Sequence, residues 1–493
     1  MKQEFRKKFL PKCMRWHALF LQVQDNELQE EFMSQEQNSA VQENKMGVMP
    51  VNKLLLNMSL PMMASMLVQA LYNIVDSIFV AKLSENALTA VSLAFPIQTL
   101  IIAIGVGTGV GANALLAKQL GEKKFERVNK TAMNAILLSF IYYVLFIIMG
   151  FVVVRPFYKS QVTAADVEIL EMGVDYLFIV CVGSLGLCLQ LIGEKLLQAT
   201  GKTVHSMIAQ GLGAITNIIL DPILIFGMFG LPKLGVAGAA LATVIGQMVS
   251  GTLVMYFNLA KNKEITFSWK NLKPDMDTIG KIYQVGLPSI IMQSIGSVMT
   301  YSMNLILIGF TATATAVFGV YFKLQSFFFM PVLGLNNGLV PIIAYNYGAG
   351  KRSRMIKTAK YSYVYAFCLL FLGFLAFEFI PAPLFGMFEA SSEMIAIGIP
   401  ALRIIGIHFL IAWYCIITGS IFQALGNGMY SMIVSIARQL IVLIPAAYIL
   451  AKVGGLQLVW WSFPIAELMS LLMSTIFLIT IYKKVVRNVP DEV

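Results

Sequence analysis

From residue 53 onward the chain is a succession of apolar runs, each broken by a short cluster of charge, glycine or proline. Roughly 20 apolar residues cover the hydrocarbon core of a bilayer, so these runs predict membrane-crossing helices. The breaks define twelve spans, near 53–83, 87–118, 131–155, 170–199, 203–229, 234–260, 280–309, 313–347, 354–380, 394–424, 428–451 and 455–482. Several exceed the minimum, which implies tilt, kinks or extension beyond the bilayer. The short alternating segments of an outer-membrane barrel do not occur. The expected fold class is an all-α polytopic membrane protein.

The second half of the pattern repeats the first. A shift of 227 residues aligns Leu60-Pro61 with Leu287-Pro288, Gln98 with Gln325, Gly107 with Gly334 and Gly111 with Gly338. The same shift aligns Ala117 with Ala344, Gly121 with Gly348 and Lys124 with Lys351. With small gaps, LLQATGKTVHSM (196–207) matches IFQALGNGMYSM (421–432). Six spans per repeat give both halves one topology, hence a pseudo-twofold axis along the membrane normal and a central cleft between two six-helix bundles. The expected layout is an N-terminal extension at 1–50, an N-terminal lobe at 51–262, a linker at 263–279, a C-terminal lobe at 280–485 and a tail at 486–493. Residues 22–46 are rich in Gln, Glu and Asn, the composition of a disordered segment. Met33, Met46 and Met49 are alternative starts.

Composition agrees: 58% of residues are hydrophobic and 13% charged, against about 25% charged in soluble domains. The net charge of +10 would suggest nucleic acid in a soluble chain. Here it sits in short loops, with about nineteen Lys and Arg on one side after residue 83 and about five opposite. That bias reads as orientation, with both termini cytoplasmic in a plasma membrane, and no nucleic-acid partner is expected. Five cysteines without a CxxC pair and three scattered histidines predict neither disulfides nor a metal centre. No HExxH or GxSxG motif suggests an enzyme.

A carboxylate at mid-bilayer costs roughly 2.5–3.5 kcal/mol, so such residues usually face a cavity or a partner. Asp76 lies in the outer half of span 1, four residues after Tyr72; Asp221 lies in the outer half of span 5, four after Asn217 and just before Pro222. Spacing of four puts each pair on one helix face, and similar depth would let both acids line one pocket. Desolvation and a neighbouring carboxylate both favour the protonated form, so such a pocket could bind and release a proton. The oxygens of Asp76, Asn217 and Asp221, with Thr243, could instead hold Na⁺. The C-terminal lobe carries Lys323, Arg403, His408, Arg438 and Glu467. No acid there matches Asp76, whose shifted position is Met303, so ion chemistry should be asymmetric. Arg438 and Glu467 read as an ion pair, His408 as a packing residue, and Glu194 and Lys195 as side chains snorkelling from the end of span 4.

The stretch LPMMASMLVQALYNIVDSIFVAKL, the loop end AKQLGEKK and the run QATGKTVHSMIAQGLGAITNIILDPILIFG, followed by GVAGAALATVIGQ, resemble the multidrug and toxic compound extrusion (MATE) family. The PIAELMS and ARQ segments look most like its bacterial MepA-like, DinF-related branch. The resemblance covers nearly all of residues 50–485. It implies a monomeric secondary antiporter, without cofactor, that exports organic cations and amphipathic drugs in exchange for H⁺ or Na⁺ by alternating access. It further implies that Asp76, Tyr72, Asp221, Asn217 and, less closely matched, Thr243 form the ion site. The chain departs from the NorM-type pattern in span 7, where Gly296 replaces the expected glutamate and puts a C-lobe sodium site in doubt. A lipid-linked saccharide flippase of the same superfamily is the alternative, and would require Lys323, Arg403 and Arg438 to line the cleft.

Overall fold

The computed structural model describes residues 44–162, 167–268, 273–388 and 390–490. Most of the N-terminal extension therefore lies outside the described residues. Where it is described, Lys45–Val48 forms one helical turn in a unit separate from the rest, not the disorder expected for residues up to 46.

From Val51 the structure is helical, with no strand among the described residues. Among the described residues ten helices are long and apolar enough to cross a bilayer, and the number reaches twelve when each of two bent pairs is taken as one span. Spans 1–3 are Val51–Ala81, Glu85–Gly121 and Phe125–Val152; span 4 is Val167–Val182 with Leu185–Ala199, bent by 48°. Spans 5 and 6 are Thr203–Phe226 and Val236–Ala260. Spans 7–9 are Met276–Ile308, Ala312–Gly348 and Arg352–Phe379; span 10 is Ser392–Gly406 with Phe409–Ala424, bent by 50°. Spans 11 and 12 are Gly428–Val459 and Ser462–Asn488.

Local chemistry repeats with the sequence. Ser84 caps span 2 by accepting from Ala87 N at 3.0 Å, and Thr311, 227 residues on, caps span 8 through Ala314 N at 3.0 Å. Such caps satisfy backbone N–H groups that a helix start leaves unpaired. After span 3 the short helix Val154–Gln161 lays the buried Tyr158 ring on Gly173 of span 4; after span 9 Pro381–Gly386 lays Phe385 on Gly398 of span 10. A side chain at either glycine would meet the ring at 2.1 Å. Gly454 and Gly455 leave helical geometry within span 11, the break expected near residue 452.

The repeated glycines are where the lobes meet. A Cβ on Gly107 would lie 2.4 Å from Ile290, and one on Gly334 2.6 Å from Met63. Gly111 packs on the Ile282 carbonyl and Gly338 on Ser59. Gly121 faces the Tyr345 carbonyl, and Gly348 that of Lys118, both with a Cβ distance of 2.0 Å. The partners Ile290 and Met63, and Tyr345 and Lys118, are themselves related by the 227-residue shift, and the counterpart of Ser59 is Gly286, whose N lies 3.0 Å from a Cβ on Gly111. All three pairs lie in the halves of spans 1, 2, 7 and 8 nearest the face that carries the basic loops. Hydrogen bonds reinforce that face: Asp275 N donates to Asn134 Oδ1 at 2.9 Å, and the hydroxyls of Tyr142 and Tyr283 bond across the lobes. The cleft is thus closed at the basic face.

Candidate functional site

Between the lobes lies a cavity of about 640 Å³, within the range of small-molecule sites. Its N-lobe wall takes Tyr72 from span 1, Gln190, Glu194 and Lys195 from span 4, Asn217 from span 5, and Thr243 from span 6. The opposite wall carries Met292 and Gln293 from span 7, Asn337 from span 8, and Arg438 and Gln439 from span 11.

Asp76 and Asp221 do not line this cavity, contrary to the shared-pocket expectation; they stand behind its wall. Asp221 is fully buried and accepts from Asn217 Nδ2 at 3.4 Å, while the same amide donates to Thr243 Oγ1 at 3.4 Å. Asp76 lies within electrostatic reach of Asp221, Tyr72 and Tyr176. It makes no hydrogen bond through its buried Oδ1. Three buried acceptor oxygens here, Asp76 Oδ1, Asn217 Oδ1 and Asp221 Oδ2, lack a donor among the described residues. A buried acceptor left unpaired costs about 1–3 kcal/mol. A proton supplies a donor, and a hard cation accepts such oxygens as ligands, so the donor set suits either. Toward the basic face the network continues through Gln210 Nε2, which donates to Gln69 Oε1 at 3.2 Å, and through a bond between Ser65 and Gln210.

Glu194 and Lys195 do not snorkel. Span 4 breaks at Gly183-Ser184, which turns its second half into the molecule and leaves these residues 5% and 7% exposed. Gln190 Nε2 donates to Glu194 Oε1 at 3.0 Å. The Lys195 ammonium donates to Gln198 Oε1 at 3.0 Å and, across the lobes, to Asn337 Oδ1 at 2.7 Å. No ion pair within 4.0 Å joins Glu194 to a cation among the described residues, and the ammonium of the adjacent Lys195, within electrostatic reach, is hydrogen-bonded elsewhere, so the carboxylate is left to face the cavity. The sequence held a signal for this: Gln190 and Glu194, four apart, share a helix face.

The C-lobe candidates separate. Lys323 is exposed, away from the cavity, with Nζ 5.9 Å over the Phe388 ring. Arg403 donates to the Glu378 carbonyl at 3.2 Å, also outside the cavity. His408 caps the second half of span 10 at its bend, 3% exposed, with Nδ1 2.5 Å from the Ile405 carbonyl and its ring on Phe409 at 4.7 Å. Glu467 is buried and accepts from Arg438 Nη1 at 3.1 Å.

Ten to twelve candidate crossings among the described residues, in two pseudo-symmetric lobes closed at one face around a central cavity, define a membrane transporter. The MatE family model matches residues 61–223 and again 288–449, two copies that start 227 residues apart. The chain belongs to the MATE family. The multidrug export protein MepA of Staphylococcus haemolyticus is 29% identical over 84% of this chain and 90% of its own length. A FAD transporter of Shewanella oneidensis is 26% identical over 85% of this chain and 92% of its own. A multidrug resistance MATE transporter solved in an outward-facing conformation superposes with a TM-score of 0.84 at 25% identity, over 90% of this chain and 99% of that one. A transporter from Pyrococcus furiosus, described as having a binding pocket of reversed polarity, superposes with a TM-score of 0.83 at 26% identity over the same shares.

Proposed function

We propose that this protein is a secondary active multidrug efflux antiporter of the plasma membrane, exporting organic cations and amphipathic drugs in exchange for H⁺ or Na⁺. The observation that carries the reading is the buried, unpaired Glu194 carboxylate in a largely apolar cavity, beside a cluster of donorless oxygens at Asp76, Asn217 and Asp221. The first offers a counter-charge to a cation; the second offers a place for the coupling ion. They are joined through Tyr72 and Asn217, which line the cavity on one side and neighbour the acids on the other. With the basic face in the cytoplasm, the conformation described releases substrate outward. Ion binding at Asp76 and Asp221 repacks span 1, weakens the hold on the cation and is followed by reopening inward, two states of few-kcal/mol separation. The flippase reading required Lys323, Arg403 and Arg438 to line the cleft, and it keeps one of the three: Lys323 and Arg403 stand away from the cavity, and Arg438 reaches its wall.

The test uses proteoliposomes of the purified full chain and ethidium, with a pH gradient and a Na⁺ gradient imposed separately. Transport driven by one gradient, and lost in Asp76→Asn, Asp221→Asn and Glu194→Gln, is expected. Dye movement indifferent to both gradients would overturn the proposal.

A further inference from the structure

We propose that the cavity has a second pole, built on Arg438, which recognises a substrate carboxylate, so that the transporter selects zwitterionic amphiphiles over simple cations. The inference rests on the export reading above, and specifies the substrate class of that site.

Three independent observations meet at Arg438. Its side chain lines the C-lobe wall and is 31% exposed, whereas the Glu467 carboxylate that it pairs with is 3% exposed. The pair is therefore lopsided: the acid is sealed in the lobe while the guanidinium reaches the cavity. Next, that guanidinium gives one hydrogen bond to Glu467, from Nη1 at 3.1 Å. An Arg fork carries five N–H donors, so most of its donor face remains for a partner in the cavity. A carboxylate is the partner whose two oxygens match that planar fork. Finally, residues Ala437–Leu443 are wound as a π-helix. Such segments are rare, appear frequently at functional sites, and here present Arg438 and Gln439 to the same wall. Ser470 and Ser474 of span 12 add hydroxyls beside them.

The opposite wall supplies the complement. Glu194 stands in the N-lobe wall with no ion pair within 4.0 Å, and the ammonium of its neighbour Lys195 is taken up by Gln198 and Asn337, so the cavity offers a carboxylate on one lobe and a guanidinium on the other. A molecule with an ammonium or iminium group and a carboxylate on one apolar frame satisfies both walls. Bound so, it also bridges the lobes, and its release requires both contacts to be given up.

A purely structural ion pair between spans 11 and 12 makes a different prediction, and one pair of dyes separates the two. Rhodamine B carries a xanthene cation and a free carboxylate; its ethyl ester keeps the cation and loses the acid. Equilibrium binding of each to the purified full chain is read by fluorescence polarisation. The double variant Arg438→Gln/Glu467→Gln keeps a hydrogen-bonding pair of similar size and leaves no buried charge unmatched. It should bind rhodamine B about ten-fold more weakly, the scale of one charge-assisted contact, with the ester changed far less. The single variant Glu467→Gln frees the guanidinium from its competitor and should bind rhodamine B more tightly than the native chain does. Equal losses for both dyes, or weaker rhodamine B binding by Glu467→Gln, would overturn the anionic pole and leave the cation-export reading standing. If the native chain binds neither dye, the export reading falls and takes this inference with it.

Discussion

The glycine contacts at the basic face set up a steric experiment on the transport cycle. Alanine at Gly121 would place a methyl group 2.0 Å from the Tyr345 carbonyl oxygen and 2.9 Å from Ala349 N, both backbone atoms of the other lobe. The carbonyl would have to recede by at least about 1 Å to reach 3.0 Å, a distance below which Cβ atoms essentially never sit. Overpacking of this kind costs about 1–3 kcal/mol. Because the clash lies between lobes, the cost falls on the closed basic face and is absent once the lobes part there. The ratio of closed to open should therefore drop by about 5- to 150-fold. Spin labels at the exposed Lys124 and Ser353, one on each lobe, would report it in lipid nanodiscs as growth of a longer distance population. Gly348→Ala, whose methyl would meet the Lys118 carbonyl at 2.0 Å, should act alike. Gly211→Ala in span 5, with nothing within 4 Å of the added carbon, serves as the control. An unchanged distance distribution in Gly121→Ala would refute the idea that these contacts seal the basic face.

Three further outcomes follow from the same geometry. Lys195→Gln removes the ammonium that bridges to Asn337 and should shift the same spin-label distances toward opening by a smaller amount, of order ten-fold or less; Lys195→Arg should restore much of the closed population. Asp221→Asn should lower gradient-driven ethidium export at least about ten-fold, and, because the amide mimics the ion-loaded carboxylate, should also weaken ethidium binding in detergent even though Asp221 lies behind the cavity wall. Gly173→Ala and Gly398→Ala each drive a methyl into a buried ring at 2.1 Å; both should lower thermal stability by about 1–3 kcal/mol, and a neutral result at either would show that the ring has room to move.

The large features of the fold were legible because their causes are local or repeated. Apolar run length marked the spans, and a fixed offset marked the lobes. Even the interface was present in the sequence, since Gly107, Gly111 and Gly121 recur at Gly334, Gly338 and Gly348, and a close helix crossing needs a residue without a side chain. What stayed hidden depends on bends. Glu194 and Lys195 read as the end of a helix near water, and in a straight span 4 they would be. The 48° break at Gly183-Ser184 carries no proline and is set by tertiary packing, with Gly183 against Val244 and Gly186 against the span 6 backbone at Met248. The depth of Asp76 and Asp221 could be counted along their helices, but whether a face meets the cavity or its backing depends on helix rotation. Spacing alone does not fix that.

The symmetry and its breaking belong to different parts of the protein, and that division is what alternating access requires. The repeat preserves what both lobes must share to rock against each other: glycine crossings, helix caps, bent spans 4 and 10, and aromatic rings seated on Gly173 and Gly398. It abandons what would make the two walls of the cavity alike. Asp76 has Met303 as its counterpart, and Arg438 with Glu467 has no equivalent in the first lobe. A cleft with identical chemistry on both walls would hold a polar substrate symmetrically, and binding would carry little information about which lobe had taken up an ion. With the donorless oxygens of Asp76, Asn217 and Asp221 in the N-lobe and a guanidinium on the C-lobe, the proposed uptake of a charge at Asp76 or Asp221 would alter one wall alone. The substrate then feels a difference between its two contacts, and that difference is the free energy by which an ion gradient can drive its release.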